Sequence, residues 1–201
     1  MIRPILVLLT AGLALVGAQA SAAVIVYSAA LRASNEVPPA ASPGTGSATV
    51  TVNDVTNMMR VQVSFSGLVG TTTASHIHCC QALGTNAQVA TTTPTFPNFP
   101  LGVTSGTYDQ TFDLTQASSY NPAFVTAHGG NVTQARTDFL AGLAATQAYL
   151  NIHTSLFPGG EIRGQLFASV PEPASWALMI AGFGLAGGVL RSRPRALRTT
   201  A

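Results

Sequence analysis

The chain has 201 residues, of which only 8% are charged, and its nine basic residues are all arginine. The mean hydropathy is +0.35. An average soluble protein carries about 25% charged residues, so this composition excludes a lysine-rich nucleic-acid-binding protein and a disordered chain extended by charge. The apolar runs are confined to the two ends, so the hydropathy does not indicate a membrane protein with several spans.

The first 23 residues are organised like a secretory signal peptide. Arg3 supplies the positive start, residues 5–16 form an apolar core, and small residues between 18 and 22 offer cleavage sites. The alternative is an anchor that stays attached, for which this apolar stretch is short. We predict export through the general secretory route, with signal peptidase cutting between residues 20 and 23.

Residues 171–201 contain three parts in a fixed order. Pro171-Glu172-Pro173 comes first, and an uncharged apolar run follows over 176–190. Fifteen helical residues rise about 22 Å, less than the roughly 30 Å hydrocarbon core, so the run predicts a single hydrophobic helix that spans a bilayer only marginally. The positive-inside rule places the arginines that follow in the cytoplasm and the body of the protein outside. These arginines are Arg191, Arg193, Arg195 and Arg198.

This tripartite end resembles the PEP-CTERM sorting signal of Gram-negative bacteria, whose name-giving motif matches Pro171-Glu172-Pro173. The resemblance implies an exosortase that recognises the motif, removes the tail and releases the body to the envelope or the exterior. A plain C-terminal anchor is the alternative. The precursor is then expected in the inner membrane transiently, and exopolysaccharide is an expected partner of the released form.

Residues 24–170 are predicted to form one domain between the signal peptide and the C-terminal sorting segment. Serine and threonine supply 33 of its 147 residues. Four arginines against six acidic residues give this segment a charge of −2. We therefore expect no basic surface that binds phosphate groups and no nucleic-acid partner. Apolar and polar residues alternate at period two in eight segments, which is typical of strands. The predicted strands cover residues 24–31, 48–52, 59–65, 74–78, 88–92, 107–114, 148–154 and 161–168.

Two segments depart from this alternation. Asn131 followed by Gln134 resembles a capping box, and the apolar spacing after it predicts one helix over 132–145. The stretch 94–106 is predicted to be a long ordered loop. Its Phe96 and Phe99 either stack on sugar rings or pack the loop onto its own domain, and the second reading is favoured.

Five stretches of the body resemble the CHRD domain, a module named for its occurrence in chordin and widespread in secreted bacterial proteins. The resemblance spans roughly residues 25–168 and implies an immunoglobulin-like or related β-sandwich, but no particular biochemical activity. We therefore expect an all-β fold, immunoglobulin-like or superoxide-dismutase-like, with one short helix. The matching stretches are 31–39, 65–68, 76–78, 149–154 and 157–166, the last of which contains Glu161, Arg163 and Gly164.

Three histidines suggest a metal site. His76 and His78 are two residues apart in a predicted strand, so both rings project from one face, with Cα atoms about 6.6 Å apart. If Leu150 and Ile152 face the core, His153 lies on the outer face of its strand. Such a cluster suits zinc or copper. The alternative is three histidines on a polar sheet face without a metal, and the affinity of a real site is expected to fall as the pH drops through about 6.5.

Cys79 and Cys80 are adjacent and are the only cysteines in the chain. Free thiols do not persist in an oxidising exterior, which leaves a strained vicinal disulfide, a bridge between molecules, or metal ligation in which Cys80 joins the histidines. The vicinal disulfide is favoured because it needs no partner. Many CHRD domains have small or polar residues at these two positions.

The family motif near the end of the domain is predicted to have a structural role. Glu161 and Arg163 lie on one face of a strand, where we expect a local ion pair, with Arg163 exposed to solvent and Gly164 facing the core. We see no nucleophile elbow, phosphate loop or close carboxylate pair in the sequence. The first hypothesis is therefore a non-enzymatic, secreted or cell-surface binding or structural module. The second is a zinc or copper protein built on the three histidines, with redox activity as one form of this hypothesis.

Overall fold

The computed structural model describes residues 24–169 and, beyond them, positions 180, 182–184 and 187. The predicted signal peptide lies outside this described part, and so do the Pro-Glu-Pro motif and the four arginines of the predicted sorting segment. Within the part described, no helix combines the length and the hydrophobicity needed to cross a membrane.

The all-β prediction is confirmed. Nine strands and two short α-helices occupy the described range 24–169. The predicted helix is present as α2, and a shorter helix that the pattern did not predict precedes it. The strands are β1 Val24–Arg32, β2 Thr45–Asn53, β3 Met58–Ser66, β4 Thr72–Cys79, β5 Gln88–Val89, β6 Gly106–Asp113, β7 Ala148–Thr154, β8 Ile162–Gln165 and β9 Phe167–Ser169, and the helices are α1 Pro122–Ala127 and α2 Val132–Ala144.

Both helices begin at an asparagine that caps them. The side chain of Asn131 accepts a hydrogen bond from the Gln134 amide at 2.8 Å, and Asn121 accepts one from Ala123 at 3.0 Å. Each cap satisfies an amide that the first turn of a helix leaves without a partner. Pro122 follows Asn121 at the first helical position, where its missing N–H costs nothing.

The strands form one antiparallel sheet in the order β5-β4-β7-β8-β1-β2-β3-β6, with β9 also paired to β1. Strands β8 and β1 meet through a single residue pair, Arg163 with Arg32. Apolar side chains from both sides of this junction enter one core, including Val61 from β3 and Ile77 from β4. The predicted sandwich is therefore a curled sheet of two halves, β5-β4-β7-β8 and β1-β2-β3-β6 with β9, which enclose a shared core.

The pairing of β4 with β7 brings the histidine-bearing strands together. Ala74 lies opposite His153, and His78 lies opposite Tyr149. Ile77 and Leu150 face inward and are fully buried, so the residues that alternate with them face outward, as the sequence pattern predicted. The outer face of this half-sheet carries all three histidines.

Three local predictions are refined by the structure. The predicted strand 88–92 contributes only the two residues of β5, and the predicted strand 161–168 is divided into β8 and β9. The division falls at Leu166, which is fully buried and donates its N–H to the Ala148 carbonyl at 3.0 Å. Phe96 and Phe99 are buried in the core, so they pack their loop onto the domain and form no platform for sugars.

Candidate metal centre

The three predicted histidines meet on the outer face of β4 and β7. Their ring centroids lie 5.2 Å apart for His76 and His153, 5.8 Å for His78 and His153, and 5.9 Å for His76 and His78. His76 and His78 are buried and His153 is half-buried. The segments that follow β4 and β7 lie over this face, so the cluster is enclosed although it lies outside the main core.

Each ring is held by one hydrogen bond to a backbone carbonyl. His76 donates from Nε2 to Pro94 at 2.6 Å, His78 from Nδ1 to Ala87 at 2.8 Å, and His153 from Nδ1 to Pro158 at 2.9 Å. A carbonyl accepts but does not donate, so each contact assigns the proton of the neutral ring to the bonded nitrogen. The other nitrogen of each ring therefore presents a lone pair.

Each ring has one buried nitrogen without a hydrogen-bond partner: Nδ1 of His76, Nε2 of His78 and Nε2 of His153. The three rings also lie close enough that each offers a ring nitrogen within 4.8 Å of one from each of the others. Nitrogens bound to one ion at 2.0–2.1 Å would lie about 3.5 Å apart, so a small inward movement of the rings brings them to coordination distance. Carbonyl bonds to the second ring nitrogen are the usual support of metal-binding histidines.

Burial controls the charge of these rings. It lowers the pKa of His76 and of His78 to about 4, against the opposing effect of their carbonyl bonds. Burial also lowers the pKa of His153. The rings are therefore neutral at ordinary pH, which is the form that binds metals. The expectation that protons displace a metal near pH 6.5 needs correction, because burial moves this competition to lower pH.

A buried cation lies near the cluster. His78 stacks on Tyr149, with centroids 4.8 Å apart, and the Arg163 guanidinium lies 4.5 Å from the centre of the same tyrosine ring. Strand β7 lies between β4 and β8, so His78 and Arg163 approach Tyr149 from neighbouring strands on its two sides. The Tyr149 hydroxyl accepts a hydrogen bond from the Ala87 amide at 3.1 Å.

The predicted exposure of Arg163 is wrong, and so is its predicted partner. The side chain is buried, donates to the Asn35 carbonyl and to Asn86 Oδ1, and lies 3.9 Å from Glu36 Oε2. The chain around Asn35 and Asn86 covers this face of the sheet, so outward-pointing residues of β8 do not reach solvent. Burial raises the pKa of Glu36 to about 7, although Arg163 and Asn151 oppose the shift.

Glu161 binds a different set of groups. Its carboxylate accepts hydrogen bonds from the hydroxyls of Ser42 and Thr154 and from the amides of Val69 and Gly70, at distances of 2.6–3.0 Å. Burial raises its pKa, but these four bonds outweigh burial and lower it. Glu161 therefore anchors the chain before β4 to the end of β7, which is a structural role.

Gly164 faces the core as predicted, because a Cβ atom there would lie 2.6 Å from the Ala30 carbonyl oxygen. Gly160 is required for two reasons. Its φ of +130° is one that other residues rarely adopt, and a Cβ would lie 2.5 Å from the Asn151 side chain and 2.7 Å from Glu36 Oε1.

Glu36 and Asn151 lie near the site, and the sequence analysis assigned neither residue a role there, although strand parity placed Asn151 on the outer face with His153. Both are buried, and Glu36 Oε1 and Asn151 Oδ1 have no hydrogen-bond partner. Asn151 shares the parity of His153 in β7, so the strand pattern held a signal for its outward position. Glu36 comes from the loop after β1, and no pattern in the sequence connects it with Arg163.

Cys79 and Cys80 form a disulfide with each other, which is the pairing favoured from the sequence. The bridge lies against Gly142 of α2, where a Cβ atom would overlap both sulfurs. Cys80 is thus separate from the histidine cluster. Among the residues that the structure describes, the group of possible ligands contains His76, His78 and His153 and includes no cysteine or carboxylate.

Two models of known families match the chain. The family model of the CHRD domain matches residues 27–166, and that of the PEP-CTERM protein-sorting motif matches residues 169–195. The sorting motif implies export, processing by an exosortase and a location in the envelope or outside the cell. No curated protein matches the chain, and no solved structure does. With its model covering most of the sequence, from β1 to the end of β8, the chain belongs to the CHRD domain family.

Proposed function

We propose that this exported protein is a metal-binding module that holds one zinc or copper ion between His76, His78 and His153. The observation that carries the proposal is a cluster of three histidines that offer one ring nitrogen each within 4.8 Å of one another and that each have a buried ring nitrogen without a partner. A buried polar atom without a partner costs about 1–3 kcal/mol, and three such atoms facing one another add their repulsion. A bound cation removes this cost at all three positions.

A polar face without a metal explains the cluster less well. On such a face, lone pairs find a donor or open water, because buried polar groups are nearly always paired. Here the donor nitrogen of each ring is committed to a carbonyl, at Pro94, Ala87 and Pro158. The three rings are therefore oriented for an acceptor of lone pairs, and the proposal assigns binding to the domain without a catalytic step.

The route to the site of action completes the proposal. We place the precursor in the inner membrane of a Gram-negative bacterium, with signal peptidase removing the N-terminal segment and the exosortase removing the tail. The released domain remains with the envelope or its exopolysaccharide as a binding or structural component. The support for this route is the sorting motif at residues 169–195 and the signal-peptide pattern of residues 1–23.

The experiment is a titration of the exported protein, isolated after processing and stripped with a chelator, with Zn²⁺ and with copper. We expect one ion per chain. His76→Ala and His153→Ala should each weaken binding at least ten-fold, as is typical when a ligand or its support is lost. His128→Ala is the matched control, because His128 is the fourth histidine of the chain, bonds Asp138 at 2.9 Å and lies outside the cluster. No uptake of either metal, or equal losses from all three variants, would refute the proposal.

A further inference from the structure

This inference rests on the proposed metal site and concerns which ion it holds. We propose that the site is built for monovalent copper, bound by Nδ1 of His76, Nε2 of His78 and Nε2 of His153, in preference to divalent zinc. The argument uses the charge of the donor set, the charge of its surroundings and the number of ligands.

The donor set carries no charge. All three ligands are neutral imidazoles, and no carboxylate or thiolate among residues 24–169 joins them. The cost of moving an ion from water into a protein interior rises with the square of its charge, so a dication in this site costs about four times as much as a monocation. Zinc sites usually offset this cost with thiolate or carboxylate ligands, or with a bound water that ionises.

A cation lies next to the cluster. Arg163 is buried and lies against Tyr149, whose other neighbour is His78. The two buried carboxylates described in this region have partners of their own: Glu36 lies beside Arg163, and Glu161 accepts four hydrogen bonds. Neither belongs to the group of possible ligands, so neither places a negative charge in direct contact with the metal.

The number of ligands is compatible with the same ion. Zinc held by three histidines takes a water as its fourth ligand, whereas monovalent copper binds three nitrogens in a plane without a fourth ligand. Imidazole is a suitable ligand for copper as well as for zinc, so the donors themselves favour neither ion, and the charge of the site decides.

One position offers a matched test of the charge argument. His76 uses Nδ1 as its lone-pair nitrogen, and the Oδ1 atom of an aspartate or asparagine lies close to where Nδ1 of a histidine lies. His76→Asp therefore replaces a neutral donor with an anionic one, and His76→Asn replaces it with a neutral oxygen of the same shape. The two variants have nearly the same shape and differ chiefly in the charge of the donor.

The experiment measures Cu⁺ affinity without oxygen by competition with a chromophoric copper(I) chelator, and Zn²⁺ affinity by competition with a zinc chelator, on the processed, exported protein. For the wild type we expect Cu⁺ to bind at least 100-fold more tightly than Zn²⁺, and X-ray absorption to show three nitrogens around copper. His76→Asp should move the ratio of affinities at least ten-fold towards Zn²⁺, whereas His76→Asn should weaken both ions without that shift.

The possible results test the preference for copper and the existence of the metal site separately. Zn²⁺ binding as tightly as Cu⁺, or a fourth protein ligand on copper, would overturn the preference and leave the metal site standing. Binding of neither ion would remove the proposed function together with the preference. Circular dichroism checks that the variants fold, and if His76→Asp does not, the wild-type ratio and the absorption spectrum decide.

Discussion

The ring of His78 lies parallel to the ring of Tyr149, with the planes 6° apart and the centroids separated by 4.8 Å. The same tyrosine bonds the Ala87 amide, and the Ala87 carbonyl accepts from His78. One loop residue is thus fixed by both rings at once. Tyr149 connects the candidate ligand, the loop that covers it and the buried Arg163.

Tyr149→Phe and Tyr149→Leu separate the two roles of this ring. The phenylalanine keeps the stack and loses one hydrogen bond, so we expect about 1 kcal/mol less stability and near-normal metal affinity. The leucine removes the support of His78, and metal affinity should fall about ten-fold. Denaturant unfolding and metal titration measure the two effects, and equal metal affinities in both variants would contradict a positioning role for the ring.

The metal-free protein should lose stability as the pH falls from about 6.5 towards 4. The pKa values of His76 and His78 are lowered to about 4 in the folded state, whereas unfolded histidines titrate near 6.5. Between these values the unfolded chain binds more protons, so the free energy of unfolding rises with pH. Denaturant titrations at several pH values across this window measure the slope.

Ionisation of Glu36 changes the stability in the opposite direction over an overlapping range of pH. Its folded pKa of about 7 lies above the unfolded value, so its contribution is present at low pH and is lost as the pH rises through 7. Glu36→Gln should therefore steepen the rise of stability with pH, and His78→Gln should flatten it. A Glu36→Gln profile that is flat between pH 4.5 and 6.5 would show that the histidines are not buried as described.

Arg163→Ala should cost about 3 kcal/mol, because it leaves the Asn35 carbonyl and Asn86 Oδ1 without their donor, and each acceptor left unpaired costs about 1–3 kcal/mol. Arg60→Ala is the control, since Arg60 pairs with Asp109 on the surface with about half of each side chain exposed. Its stability should stay close to wild type. Comparable melting temperatures for the two variants would place Arg163 at the surface after all.

Gly142→Ala should destabilise the protein although it lies within a helix. Alanine is the better helix former by about 1 kcal/mol, but its Cβ would lie 2.7 Å from the Cys80 sulfur and nearer still to that of Cys79. We expect a net loss of about 1–3 kcal/mol from overpacking. An increase in melting temperature would show that α2 does not rest on the disulfide.

The exported protein should begin near residues 22–24 and end near Pro173. We expect signal peptidase to make the first cut and the exosortase to make the second at the Pro171-Glu172-Pro173 motif. Intact-mass measurement of the envelope or culture form tests both ends. Recovery of an extracellular form that still contains Arg198 would contradict removal of the tail.

Period-two alternation was sufficient to predict the strands and the faces of β4 and β7, because inward residues such as Ile77 and Ile152 are apolar. That parity placed the histidines correctly on the outer face. It did not show that loops cover the outer face, so Arg163 was expected in solvent and Glu36 was missed. Coverage depends on contacts between residues far apart in the chain, such as Arg163 with Asn86, 77 positions away, and no local pattern records them.

The bonds that orient the three histidines have a consequence for how freely this surface can change. Each ring is held by a main-chain carbonyl, at positions 87, 94 and 158, and every amino acid supplies that group. Substitutions at these positions that preserve the path of the backbone leave the anchors in place. The side chains of the covering loops, and therefore the outer surface that they form, can change in related proteins. The three rings beneath them keep their arrangement.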